Sequence, residues 1–221
     1  MAVDGAHGQG ADGAGGVTVA AISDVLDRAG HRHQVMHSGM RPVAAVRAIL
    51  APVFTIQAVP RPVLSERPYE KELEATDVIP EGAVVVFDTG GTTEAGIWGE
   101  LLSTRAKERG GVGAIIDGGV RDLAGIERLG FPVYATAVNA ADSYGRAEVV
   151  SFGEAIVCAG VPVRPGDLVA ADRDGVVVIP ADVADECVRE ARAKLAREND
   201  ARDMLRDGAT VRDTYGRHGV L

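Results

Sequence analysis

The sequence predicts an α/β fold, a single domain with a central sheet flanked by helices. Hydrophobic residues make up 46% of the chain but aromatic residues only 4%, so a core of Val, Ala, Leu and Ile is expected, the composition of buried sheets and the helices over them. Two apolar runs of strand length, residues 83–87 and 112–116, each pass into a glycine-rich turn and then into a helical stretch. A length of 221 residues suffices to bury such a core without disulfide or metal staples.

In chain order, residues 1–16 are Gly, Ala and polar residues with nothing to bury, and read as a flexible tail. The main domain is expected over residues 17–199. Thr18 is placed to cap a short amphipathic helix carrying Ile22, Val25 and Leu26, which Gly30 stops. His31, His33 and His37 follow at a spacing that matches no structural zinc pattern, and no Cys or acidic residue completes one. Residues 53–59 read as a strand, and Pro60, Pro62 and Pro68 open an irregular connection. The strand at 83–87 leads into a Thr-Gly-Gly-Thr-Thr loop that has neither GxGxxG nor P-loop character, so nucleotide binding is not expected.

A helix starting at Thr93 would hold Gly96 and Gly99 in its interior, each costing about 1 kcal/mol relative to Ala, so a start near Gly99 is expected. Glu100 then lies in the first turn, with Leu101, Leu102 and Ala106 facing the core. The amides of Leu101 and Leu102 have no intrahelical acceptor there and are free to receive an anion. The strand at 112–116 ends in Asp117-Gly118-Gly119 and delivers Arg121 and Asp122, of which Asp122 is also positioned to cap the next helix. Residues 131–135 and 149–158 read as strands, 161–167 as a turn, and 168–171 with 176–179 as a hairpin turning on Asp174-Gly175. A last long helix starts at Asp182, and residues 200–221 form a charged C-terminal tail.

The net charge of -9 favours solubility and argues against nucleic acid as a partner, because phosphate backbones require clustered Lys and Arg. No apolar run reaches eighteen residues, so no membrane span is expected, and residues 1–16 lack a signal-peptide pattern, which points to the cytoplasm. Cys158 and Cys187 read as small buried hydrophobes.

Glu100, Arg121 and Asp122 are the chemical core of this reading. An arginine holds a carboxylate by two hydrogen bonds, and a helix start completes the anion site. A single Asp with waters suits a hard cation, Mg2+ or Mn2+, which leaves positions for substrate oxygens. Such an ion chelated by a 2-oxo acid favours an enolate, the difficult intermediate of aldol cleavage and of decarboxylation. A Schiff-base route needs a desolvated lysine, whereas Lys71, Lys107 and Lys194 all lie among charged residues.

The residues 98–102, Trp-Gly-Glu-Leu-Leu, the twenty-residue gap from Glu100 to Arg121-Asp122, the preceding 116–120, the Ile22-Ser23-Asp24 triplet and the 172–180 hairpin together resemble the RraA-like family. That family includes 4-hydroxy-4-methyl-2-oxoglutarate/4-carboxy-4-hydroxy-2-oxoadipate aldolases and regulators of ribonuclease E activity. The resemblance spans residues 17–179. It implies a swivelling β/β/α-type fold and a homotrimer or hexamer with interfacial active sites. It further implies Glu100 and Arg121 as catalytic residues, Gly99, Leu101, Leu102 and Arg121 as substrate-binding residues, and Asp122 as the ligand of a divalent metal cation. Glu100 stands where the family's aldolases carry Asp. A further acid from the neighbouring subunit is implied, for which Asp172, Asp174 and the last helix are candidates. The activity implied is pyruvate release from a 4-hydroxy-2-oxo acid with oxaloacetate decarboxylation, and the alternative is a non-catalytic regulator of a ribonuclease.

Overall fold

Four parallel strands form the centre of the sheet: β2 (Ile49–Pro60), β3 (Val84–Asp88), β5 (Gly113–Val120) and β6 (Val133–Val138). The computed structural model describes residues 16–220, so the 1–16 tail expected from the sequence lies outside them but for Gly16. Among the described residues nine strands pair in one curled sheet. Its order is β1 (Arg41–Ala44), β6, β5, β3, β2, β10 (Leu168–Asp172), β11 (Gly175–Ile179), with β4 (Gly96–Trp98) on β5 and β7 (Ala147–Phe152) on β2. The pair β8 (Ile156–Cys158) and β9 (Val161–Val163) stands apart.

Strand β3 is buried on both faces, which explains its unbroken apolar run. Val85 and Phe87 join a core with Trp98, Ala106 and Ile126, under α3 (Glu100–Glu108) and α4 (Leu123–Leu129). Val84 and Val86 face the opposite core with Val163, Val169 and Val178. A third cluster joins Val177 and Ile179 of β11 to α1 (Val19–Arg28) and α5 (Ala184–Arg206). Thr18 caps α1 through the amide of Ala21, as expected, and Asp172 Oδ2 accepts the amide of Val19 at 2.8 Å.

Several expectations are corrected. The stretch after Pro68 is not irregular but carries α2 (Glu70–Asp77), whose buried residues are only Ala75 and Thr76, too few to show as an apolar period. A short strand, β4, separates the Thr-Gly-Gly-Thr-Thr loop from α3. The 149–158 run is divided between β7 and β8, and the expected turn at 161–167 begins with β9. In the hairpin, Asp172 pairs with Gly175, so the loop residues are Arg173 and Asp174, one position earlier than expected. The boundary at 199/200 falls inside α5, which runs on to Arg206, and α6 (Val211–His218) packs back on it.

Candidate active site

The carboxyl ends of β4, β5 and β6 lie side by side, and each passes into a segment that bears a site residue. Open parallel sheets bind ligands at this end because loops from neighbouring strands converge there. Backbone bonds stitch the three exits together: Arg121 N donates to Trp98 O at 2.9 Å, Asn139 N to Val120 O at 3.0 Å, and Gly96 N to Ala141 O at 2.8 Å. The approach is close enough to require glycine. A Cβ on residue 96 would sit 2.4 Å from Asn139 O, and one on residue 99 would sit 2.8 Å from Asp122 Oδ2.

Helix α3 begins where the glycine argument places it, with Gly99 as N-cap and Glu100 in its first turn. Its first intrahelical bond runs from Ser103 N to Gly99 O, so the amides of Leu101 and Leu102 are not used within the helix. The side chains depart from expectation. Leu101 is 83% exposed and Ser103, not Leu101, is buried, its Oγ accepting the Trp98 indole N–H at 2.7 Å. Residues 103 and 106 fall on the core face of the turn that Gly99 sets, which leaves Leu101 at the mouth of the cleft.

Asp122 occupies the N-cap position of α4, yet its side chain makes no capping bond. It stands in the left-handed region with φ 59°, costly for a residue with a Cβ, and its carboxylate lies 3.8 Å from Arg121 Nε. The capping role open to it in the sequence is thereby not taken. Arg121 Nη1 lies 3.3 Å from Asp142 Oδ1, and Asp142 Oδ2 accepts the Tyr69 hydroxyl at 2.5 Å. These residues, with Gly99, Leu101, Leu102 and Glu72, line a cleft of about 190 Å3.

Electrostatics separate the members. Burial, and then the bond to Asp142, push the Tyr69 hydroxyl up to about 12, so it remains a donor. Burial, and then the neighbouring Asp142 charge, push Glu72 up to about 7 against the opposing pull of Arg121. Tyr69, like Asp122, is a non-glycine residue in the left-handed region, with φ 64°.

Of the residues expected to act together, Gly99, Leu101, Leu102, Arg121 and Asp122 are brought to one cleft. Glu100 is not among its lining; it is directed at Gly125 of α4, where an added Cβ would meet Glu100 Oε2 at 2.1 Å. Sequence reasoning missed Tyr69, Glu72 and Asp142. The signals that pointed to them were the acidic first turn at Glu70 and Glu72 after Pro68, and the polar loop that carries Asp142 at the exit of β6.

The donors fit a hydrated hard cation. Asp122 presents a carboxylate unused by its helix, and no group of three or more His, Cys, Asp or Glu side chains that would form a cage occurs among the described residues. A zinc-type site is thus not the pattern here.

A parallel sheet whose carboxyl end gathers an arginine, a carboxylate unused by its helix and unbonded helix-start amides in one cleft defines an α/β protein with a polar cleft at the end of its sheet. The matching family model, RraA-like (Aldolase/RraA), covers residues 19–178, and the chain belongs to this family. The protein named "Putative 4-hydroxy-4-methyl-2-oxoglutarate aldolase" of Halalkalibacterium halodurans is 30% identical over 182 residues, 82% of this chain and 81% of that one. Protein DlpA of Legionella pneumophila is 29% identical over 87% of this chain, which spans only 31% of DlpA's length. Among solved structures, Streptomyces coelicolor RraAS2, described as an unusual member of the RNase ES inhibitor RraA protein family, superposes with a TM-score of 0.75 at 28% identity, over 84% of this chain and 91% of that one. The single α/β domain with a central sheet flanked by helices, expected from the sequence, is the fold of RraAS2 and of a further RraA structure.

Proposed function

We propose that this chain is a divalent-cation-dependent lyase that cleaves a 4-hydroxy-2-oxo acid to pyruvate and a second carbonyl compound, with oxaloacetate decarboxylation as an accompanying activity. The observation that carries this reading is the Arg121-Asp122 pair at the end of β5, facing the unbonded amides of α3 across one cleft. Arg121 and the Leu101 and Leu102 amides hold the substrate's carboxylate and fix the plane of the 2-oxo group. Asp142 holds the guanidinium from the side, so its fork is oriented before substrate arrives. Asp122 is the residue that would hold Mg2+ or Mn2+, and the ion would supply the Lewis acidity that favours an enolate.

In the cleavage the 4-hydroxyl gives up its proton, the C4–O bond becomes a carbonyl, and the C3–C4 bond breaks. Its electron pair passes to C3–C2 as the pyruvate enolate, which takes a proton at C3. Decarboxylation of oxaloacetate breaks a C–C bond at the same carbon and leaves the same enolate. Glu100, in the first turn of α3, is assigned to proton relay through solvent. A Schiff base is not needed, and Lys194 is held as an ammonium by Glu198 and Asp24.

The test is a coupled pyruvate assay on 2-oxo acids with Mg2+ and with EDTA. Arg121→Ala and Asp122→Ala are each expected to lose pyruvate release by at least a hundredfold while remaining folded; full activity in either would defeat the assignment. The likeness to RraAS2 favours a second reading, a regulator that occupies a ribonuclease surface. Binding to a purified ribonuclease E-type enzyme, together with an inactive substrate panel, would establish that reading instead.

A further inference from the structure

Cleavage of a 4-hydroxy-2-oxo acid needs a group that takes the 4-hydroxyl proton and a group that delivers one to C3. Glu100 lies outside the cleft lining, over Gly125, and reaches the substrate only through solvent. With the 2-oxo acid head on Arg121 and the α3 amides, C3 and C4 extend along the rest of the cleft, whose polar side chains are Tyr69, Glu72, Asp142 and Ser143. The Tyr69 hydroxyl donates to Asp142 Oδ2 at 2.5 Å, and burial makes it hold its proton firmly. The other oxygen of Asp142 lies 3.3 Å from Arg121 Nη1, so this carboxylate is engaged on both sides. Ser143 offers a hydroxyl that donates to a substrate oxygen, but an alcohol keeps its proton near neutral pH. Glu72 is left uncommitted: its carboxyl makes no hydrogen bond and no ion pair among the described residues.

We propose that Glu72 is the catalytic acid and base of the cleft, the side chain that exchanges protons directly with the substrate. The inference rests on the lyase reading and adds a residue to it. In cleavage, the Glu72 carboxylate takes the 4-hydroxyl proton, the C4–O bond becomes a carbonyl, and the C3–C4 electron pair passes to C3–C2. Protonated Glu72 then returns that proton to C3, which completes the pyruvate methyl group and restores the carboxylate. The 4-oxygen and C3 are both bonded to C4, so one carboxyl serves both transfers. In oxaloacetate decarboxylation carbon dioxide leaves with no proton to remove. Glu72 therefore enters protonated, gives its proton to C3 and is reloaded from solvent. Burial, and then the Asp142 charge, push this carboxyl up to about 7 against the pull of Arg121, which populates both of its forms near neutral pH. A cation on Asp122 and a substrate carboxylate act on it in opposite senses.

The transfer at C3 is read without cleavage by following deuterium entering the methyl group of pyruvate in D2O, with the full chain and Mg2+, by proton NMR. Wild type is expected to exchange the methyl protons. Glu72→Gln is expected to lose exchange and the cleavage of 4-hydroxy-4-methyl-2-oxoglutarate together, each by at least a hundredfold. Glu72→Asp, which keeps the carboxyl on a shorter arm, is expected to recover part of both. Calorimetric binding of oxalate, a stable mimic of the pyruvate enolate, is expected to be no weaker in Glu72→Gln than in wild type. Full exchange or full cleavage in Glu72→Gln would overturn the proposal while leaving the lyase intact. Loss of oxalate binding along with activity would make Glu72 a structural support and overturn it equally. Neither exchange nor pyruvate release in wild type would overturn the lyase reading as well.

Discussion

At the residue scale, the site depends on an atom that is missing. Gly99 has extended backbone and does not need to be glycine for its torsion angles; it is constrained by what stands opposite, Asp122 Oδ2 and Arg121 Cγ. A methyl group at 99 displaces the carboxylate that the proposed cation requires and the stem of the guanidinium proposed to bind substrate. Gly99→Ala is therefore expected to lower kcat/KM by at least tenfold with little change in thermal midpoint, since the yielding neighbours are half-exposed side chains rather than core. Pyruvate kinetics and a melting curve on the same preparation check it. By contrast, Gly125 is opposed by the end of the Glu100 side chain, which swings away at small cost.

At the scale of the element, α2 shows how a weak helix serves a site. It buries two small residues and begins at a left-handed Tyr69 with no side-chain cap, so its own apolar contacts hold it poorly. It nevertheless brings Glu72 to the cleft, where burial and the Asp142 charge raise that carboxyl to about 7, with Arg121 opposing. The folded state therefore binds this proton more tightly than the unfolded state, whose carboxyl titrates near 4.5. The contribution to stability is full below about pH 4.5 and is lost as pH rises through about 7. Glu72→Gln cannot ionise, so its advantage in thermal midpoint over wild type is expected to grow across that window and level off above it. A constant difference between the two proteins in EDTA-treated samples would show that Glu72 is not held neutral.

At the scale of the molecule, the sequence made the buried parallel strands and the start of α3 legible, because an unbroken apolar run and the cost of glycine inside a helix are local signals. Arg121, Asp122 and the α3 amides were legible for the same reason, being close in chain to those signals. Asp142 was not, since its place beside Arg121 comes from the parallel pairing of β5 with β6 and is visible only once the strands are ordered. Tyr69 and Glu72 were hidden because α2 has almost no apolar period. Glu100 was expected to converge with Arg121 and instead lies over Gly125, a contact between two helices that no spacing encodes.

Two non-glycine residues of the cleft, Tyr69 and Asp122, hold left-handed backbone, and such positions cost about 1–3 kcal/mol each. Anyone evolving this protein for heat tolerance would meet that fact as a trap. Asp122→Gly relieves the backbone without removing a helix cap, and is expected to raise the thermal midpoint by a few degrees while pyruvate release disappears. A library screened on survival at high temperature alone would enrich inert proteins, so each round needs a functional gate at the position where the fold has most to gain.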